Sequence, residues 1–281
     1  MSSHGYAVLR RHLLNARFEV LPLRGVVDQV SELAAGTTVT VTSSPRKGVA
    51  TTLDIAGQLT GLGMRVVPHL AARMIQDRRA LVSLLDRVAD LGIAEVFVVA
   101  GDVDTPAGEF GDAIALLRAM SELERRPARV GITGYPERHS FISDQATIQA
   151  MHEKSRYADY IVSQICYDPA TIISWIHAVR ERGITLPIHL GAPGVVDASK
   201  LLRISLKIGL GDSMRFLRSQ HSVLSRLVTR YTPEELLTQL VPAVVDPANR
   251  IAGWHFFTFN EIARTRDWSH QLAARLQEVP A

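Results

Sequence analysis

MRVVPHLAARMIQDRRALVSLLDRVADLGIAEVFVVAGD, residues 64–102, reads as strand, helix, strand. The flanking runs MRVVPHLA (64–71) and AEVFVVAGD (94–102) are short, rich in valine and apolar on both faces. Strands of a parallel sheet covered by helices look like this. Between them, RALVSLLDRVADLG (79–92) places Leu81, Leu84, Leu85 and Val88 at helical spacing. Asp77 stands where a helix N-cap belongs, and Gly92 where the chain must turn out of the helix.

The same alternation extends in both directions. Further strand-like runs are RFEVLPL (17–23), TVTVTS (38–43), RVGITGYP (129–136), DYIVSQICYD (159–168), LPIHLGAPG (186–194) and GWHFFTFN (253–260). PATIISWIHAVRERG (169–183) has helical spacing. Gly63 and Gly183 match Gly92 as helix-ending glycines. Ser143, Asp197 and Thr232 are further candidate caps, with Pro233 as a first helical residue. Eight strands separated by helical sequence predict parallel βαβ units. The α/β fold expected is a single (β/α)8 TIM-type barrel domain over 1–281, about the length such a barrel needs. Residues 1–15 would be an N-terminal extension or helix, and 209–250 would add extra helices between strands seven and eight. The competing open, doubly wound sheet would carry a G-x-G-x-x-G turn after its first strand, and none follows here.

Composition narrows the function. With 47% hydrophobic and 21% charged residues the chain reads as an ordinary globular protein. Cys166 is its one cysteine, so no internal disulfide or cysteine-based metal site is expected, which fits the cytoplasm. The first twenty residues show no signal peptide, and no apolar stretch is long enough to span a membrane. The net charge is +3, but the basic clusters PRK (45–47) and ERRPAR (124–129) are scattered, so no nucleic-acid partner is expected. No H-E-x-x-H metal motif or G-x-S-x-G nucleophile elbow occurs.

In barrel enzymes chemistry collects at the C-terminal ends of the strands. Read in order, those ends carry Glu19, Thr42, His69, Asp102, Tyr135, Gln164, a Gly-Ala-Pro-Gly turn (191–194), and Phe257 with Asn260. Each has a bland alternative: Glu19 facing a helix, His69 as a core histidine, Asp102 as a loop cap, Tyr135 in a turn, Gln164 bonded to backbone, Thr42 as ordinary strand. Yet burying six such groups without partners would cost about 1–3 kcal/mol each. A ligand site is a better use for them.

The strings around these strand ends resemble those of the methylenetetrahydrofolate reductase family. FEVLP (18–22) is similar to the family's Phe-Glu-Phe-Phe-Pro, VTSS (41–44) to Val-Thr-Tyr-Gly, and VVPHL (66–70) to its Pro-His-Leu strand. AGDVDTPAGEF (100–110) resembles Arg-Gly-Asp-Pro-Pro with a following Gly-Glu and Phe. GYPERHS (134–140) resembles Tyr-Pro-Glu-x-His-Pro, SQICYD (163–168) resembles Thr-Gln-Phe-Phe-Phe-Asp, and WHFFTFN (254–260) resembles His-Phe-Tyr-Thr-Leu-Asn. The order holds from about 17 to 262, with 195–250 matching poorly.

The resemblance implies an oxidoreductase that reduces 5,10-methylenetetrahydrofolate to 5-methyltetrahydrofolate with hydride from NADH or NADPH. Glu19 would be the general acid that opens the folate's five-membered ring to a 5-iminium cation; a partly buried carboxyl can hold the needed proton. Asp102 would stabilise that cation. Gln164 would read the pterin edge, with Phe257 beside it as a substrate contact in place of a tyrosine. Thr42, His69, Tyr135 and Lys154 match positions that hold the family's FAD, Lys154 across a one-residue gap. Departures concentrate on the flavin: Ala100 replaces an arginine, Thr147 an aspartate, Ser43-Ser44-Pro45-Arg46-Lys47 a Tyr-Gly-Ala type loop, and Glu261 an arginine. Losing a guanidinium and a carboxylate removes charge-assisted bonds of about 1.5–3 kcal/mol each. The expectation is therefore FAD weakly held or absent, with no metal and no set subunit number. Two other classes stay open: a folate-binding or regulatory protein without reduction, and a methyl-transfer or proline-oxidising barrel enzyme.

Overall fold

Short strands and longer helices alternate along the chain. The computed structural model describes residues 3–137, 144–197, 199–201, 203 and 230–278. After the N-terminal helix α1 (Ser3–Leu14) come β1 (Arg17–Val20), α2 (Val26–Val30), β2 (Thr38–Val41), α3 (Gly48–Gly61) and β3 (Arg65–Ala71). A 3-10 turn (Ala72–Met74) leads to α4 (Arg78–Asp90), β4 (Glu95–Val99), α5 (Ala113–Ser121) and β5 (Arg129–Gly134). Next are α6 (Asp144–Ser155), β6 (Tyr160–Ser163), α7 (Pro169–Glu181) and β7 (Ile188–Pro193). Two short strands, β8 (Val196–Asp197) and β9 (Arg230–Tyr231), pair antiparallel as a separate small sheet. Then come α8 (Glu234–Val245), a 3-10 turn (Pro247–Asn249), β10 (Ile251–Phe257) and α9 (Ile262–Gln277).

Strands β1 to β7 and β10 form a closed barrel in the order β1-β2-β3-β4-β5-β6-β7-β10. The barrel expectation is met, and seven of the eight strands fall inside a run marked by their sequence, while β10 begins at Ile251, two residues before the run at 253–260. Gly63, Gly92 and Gly183 have φ of 79°, 67° and 75°, the left-handed turn expected after a helix. Asp77 caps α4 by accepting from the Ala80 N–H at 2.7 Å. Asp112 caps α5 and Asp168 caps α7 in the same way. Other cap expectations fare differently. Pro233, one residue beyond Thr232, occupies the cap of α8 without a side-chain bond. Asp197 is the second residue of β8. Ser143 lies outside the described residues, as do 209–229 of the stretch expected to hold extra helices. No helix among the described residues is long and apolar enough to cross a membrane.

The chain divides into two compact units: Arg17–Thr133 with Ala150–Ile161, and Met1–Ala16 with Gly134–Gln149 and Val162–Ala281. In the first, β1 to β5 pair parallel in sequence order. Val39 and Val41 of β2, Val96 and Val98 of β4 and Val130 and Ile132 of β5 are buried, as are Leu53, Leu59, Leu81, Leu85 and Leu116 on the helices. Each such side chain contributes about 1.5–3 kcal/mol by leaving water. The alternate positions of the strands carry a polar cluster. Arg17 donates to the Glu95 carboxylate and, at 3.3 Å, to the Tyr160 hydroxyl. Arg129 reaches Glu95 from the other side at 3.3 Å, and both guanidinium groups lie over the Tyr160 ring, 4.6 and 5.2 Å from its centroid. Burial pushes the Tyr160 hydroxyl well above its ordinary pKa. Gly131 is required here: a Cβ on it would stand 2.2 Å from the Tyr160 ring.

In the second unit, α1 packs on α9, α8 and β10. Arg180 of α7 acts as a clamp, donating to the carbonyls of Asn249, Ile184 and Leu186, so it ties the start of β7 to the turn before β10.

Candidate functional site

Along β1 the side chains alternate, so Glu19 shares a face with Arg17 while Phe18 and Val20 are buried on the other. Glu19 is paired in register with Thr40 of β2, and Thr40 with Val67 of β3. Two residues on from Val67, on the same face, is His69. Its Nε2 lies 3.5 Å from Glu19 Oε2, and both side chains are largely buried, at 8% and 15% exposure. The His69 ring also packs on Phe97, with centroids 4.8 Å apart, and Phe97 stacks toward Tyr160 at 6.4 Å. The imidazole is thus held between a carboxylate and an aromatic column. Thr40 Oγ1 is buried in the same strand layer and has no hydrogen-bond partner among the described residues.

The segments that follow these strands are laced together. The Thr42 N–H donates to the Val20 carbonyl at 3.0 Å, and the Thr42 carbonyl accepts from the Thr52 hydroxyl. Ser43 Oγ donates to the His69 carbonyl at 2.6 Å, and Lys47 Nζ to the Pro22 carbonyl at 2.6 Å. Asp102 stands three residues past β4, exposed, in a loop running to Asp112. Its carboxylate makes no hydrogen bond or ion pair among the described residues.

Lys154 of α6 is buried at 6% exposure and points back to β5, with Nζ 3.3 Å from Thr133 Oγ1 and 3.4 Å from the Thr133 carbonyl. Burial pulls its pKa down to about 8, against a smaller upward pull from Asp112.

In the other unit, Tyr135 directly follows β5 and is half-buried. Gln164 directly follows β6. Its N–H donates to the Gly134 carbonyl at 2.7 Å, and its side-chain oxygen accepts from the Ile165 N–H at 3.0 Å. Phe257 ends β10 and packs, with Tyr231 and Phe259, on Ile165, Tyr167, Val196 and Leu201. Phe259 and Asn260 follow with φ of 49° and 63°. Two consecutive non-glycine residues in that region store strain of the kind that collects at functional sites.

The structure therefore brings Glu19 and His69 together, turns Lys154 toward Thr133, and leaves Asp102 on an exposed loop. Thr40 escaped the sequence reading because TVTV looks like plain strand; its register beside Glu19 gives it interest. Among the described residues, no three His, Cys, Asp or Glu side chains cluster as a metal site would.

The family description that matches residues 21–209 is methylenetetrahydrofolate reductase. The chain belongs to that family. Thr42, His69, Asp102, Tyr135, Lys154 and Gln164 fall inside the matched span of this methylenetetrahydrofolate reductase family member; Glu19 lies just before it and Phe257 beyond it. Methylenetetrahydrofolate reductase 1 of Schizosaccharomyces pombe is 27% identical over 186 residues, which is 63% of this chain and 30% of that one. The chain thus spans less than a third of that curated relative's length. Among solved structures, a protein from Clostridium thermocellum that binds two copies of 5-methyl-5,6,7,8-tetrahydrofolic acid matches with a TM-score of 0.61 and 11% identity. That match covers 94% of this chain and 99% of the other. An oxaloacetate acetylhydrolase matches at 0.53 and 12% identity, over 99% of this chain and 88% of its own. At such identities these structures speak to the fold alone.

Proposed function

We propose that this family member reduces 5,10-methylenetetrahydrofolate to 5-methyltetrahydrofolate with hydride from NADH or NADPH, with FAD weakly held or absent. The observation that carries the reading is the Glu19–His69 pair. A carboxyl largely withdrawn from water, 3.5 Å from an imidazole, can hold a proton and deliver it in a fixed direction. In the reaction Glu19 gives its proton to the ring nitrogen that leaves as the folate's five-membered ring opens. The bond from that nitrogen to the methylene carbon breaks, and the other nitrogen keeps the carbon as an iminium cation. Asp102 supplies the negative charge that stabilises this cation. Gln164 orients the pterin, with Phe257 as an apolar contact beside it. Hydride from the nicotinamide then adds to the iminium carbon, leaving a methyl group and an oxidised nicotinamide.

Three flavin-linked positions support FAD held weakly or not at all. His69 lies against Glu19, and Lys154 is buried against Thr133. Ala100 offers no guanidinium, and its carbonyl already accepts from the Arg73 N–H at 2.9 Å. No step is therefore routed through a flavin. The lone buried Cys166 agrees with work in a reducing compartment, the cytoplasm.

A second reading is a folate-binding or regulatory protein without turnover, and the exposed, unbonded Asp102 favours it. One assay separates the two. The purified protein should oxidise NADH or NADPH on addition of methylenetetrahydrofolate and show no visible flavin band. Binding of 5-methyltetrahydrofolate without nicotinamide oxidation selects the second reading. A stoichiometric, tightly bound FAD rejects the flavin-free path.

A further inference from the structure

The β4–α5 loop, residues 100–112, has no helix or strand of its own, yet it is fastened to the β3–α4 connection throughout its length. Arg73, in the 3-10 turn after β3, makes most of the attachments. Its N–H donates to the Ala100 carbonyl at 2.9 Å, its Nη1 to the Val103 carbonyl at 3.1 Å, and its Nε to the Gly111 carbonyl at 2.9 Å. Its own carbonyl accepts from the Ala107 N–H at 2.8 Å. Three residues further on, the Gln76 carbonyl accepts from the Glu109 N–H at 2.9 Å. Gly108 lies so close to that carbonyl that a Cβ would stand 1.7 Å from the Gln76 oxygen.

Asp102 lies between two of these attachments, Ala100 and Val103. Among the described residues its carboxylate has no side-chain partner of its own to hold it, so its position depends on the backbone on either side. A guanidinium presents its donors in a rigid fork and can hold two carbonyls far apart in sequence, which a lysine ammonium on a flexible stem does poorly. Bonds from a charged donor are also about twice as strong as neutral ones.

We infer that Arg73 is a positioning residue that fixes the β4–α5 loop on both sides of Asp102 and so sets where that carboxylate stands during hydride transfer. The inference rests on the reading of Asp102 as the group that balances the folate cation. A displacement of about 1 Å at a reacting group can cost roughly 10²-fold in rate. Arg73→Met keeps the aliphatic stem and removes the fork.

The test compares wild type, Arg73→Met, Arg73→Lys, Asp102→Asn and the Arg73→Met/Asp102→Asn double variant in two measurements. In steady-state reduction of methylenetetrahydrofolate, Arg73→Met should lower kcat by about ten- to a hundredfold with the KM for the nicotinamide unchanged. Arg73→Lys should recover part of the loss. The double variant should be no slower than Asp102→Asn alone, because a mispositioned carboxylate matters only while the carboxylate is there. In hydrogen exchange, Arg73→Met should speed exchange of the loop amides at Ala107 and Glu109 and leave the β3 and β4 amides protected. Multiplying losses in the double variant, or loop exchange equal to wild type, would overturn the inference. If wild type shows no reduction at all, the functional reading fails, and the exchange comparison still decides whether Arg73 holds the loop. If Arg73→Met does not fold, Arg73→Lys carries both comparisons.

Discussion

The barrel strands of the first unit are used differently at their two ends. Where they begin, Arg17, Glu95 and Tyr160 form a buried knot joined from outside by the half-exposed Arg129, and both guanidinium groups reach one carboxylate and cover one ring. Towards their other ends, Glu19 and His69 stand 3.5 Å apart, Thr40 Oγ1 is buried without a partner among the described residues, and Lys154 is buried against a threonine. The distance along β1 between the two environments is two residues. Charge placed at the start of the strands is matched by opposite charge, as stability requires when ions leave water. Near the other end a carboxylate, an imidazole and an ammonium are largely withdrawn from water, the setting in which groups that serve function collect. The difference separates residues that hold the molecule together from those the proposed chemistry uses.

The comparison breaks most visibly at Glu19. Glu19→Gln keeps shape and hydrogen bonding but removes the transferable proton, so turnover should fall by about 10²- to 10⁴-fold. Folate affinity and unfolding midpoint should barely move. Equal losses in rate and affinity would mean that Glu19 positions the substrate rather than protonating it.

A smaller effect, of opposite kind, is expected two residues earlier. Arg17→Met leaves Glu95 with Arg129 alone, and removing one partner of a buried pair costs about 3 kcal/mol of stability. Urea unfolding should show that loss, while kcat below the transition stays at the wild-type level. A variant that unfolds normally but turns over slowly would erase the distinction between the two ends.

The finest test uses pH. Lys154 loses its proton near pH 8 in the folded chain, mainly through burial, while the unfolded chain keeps it to about 10.5. Between those values the unfolded state binds more protons, so stability rises with pH across that window. Below pH 8 both states carry the charge and the folded state bears its full cost. Lys154→Met should therefore be more stable than wild type at neutral pH, and the gap should close as pH rises. A gap that stays constant with pH would show that burial does not hold the Lys154 pKa down.

The elements were legible in the sequence because their signals are local. Leu81, Leu85 and Val88 recur at helical spacing and are buried together, and Asp77 and Gly92 bound that helix as their side-chain chemistry dictates. The cap at Thr232 shifted by one residue because Pro233 adopts a near-helical backbone itself. Candidate site residues could be named one at a time, from their places after each strand and from the family strings around them.

Their partners were not legible. Glu19 and His69 are fifty residues apart in the chain, and only strand register brings them within reach. The same holds for Arg73 and the loop that carries Asp102, for Lys154 and Thr133, and for the knot around Glu95. Periodicity and turn chemistry act over a few residues, so the amino-acid order alone settles which segments are strands and helices and which residues end them. Which side chains meet depends on register and on loop paths between distant segments, and those exist only once the strands have paired. That is why the barrel was readable in advance, and why the state of Glu19, the hold on Asp102 and the burial of Lys154 belong to the folded molecule alone.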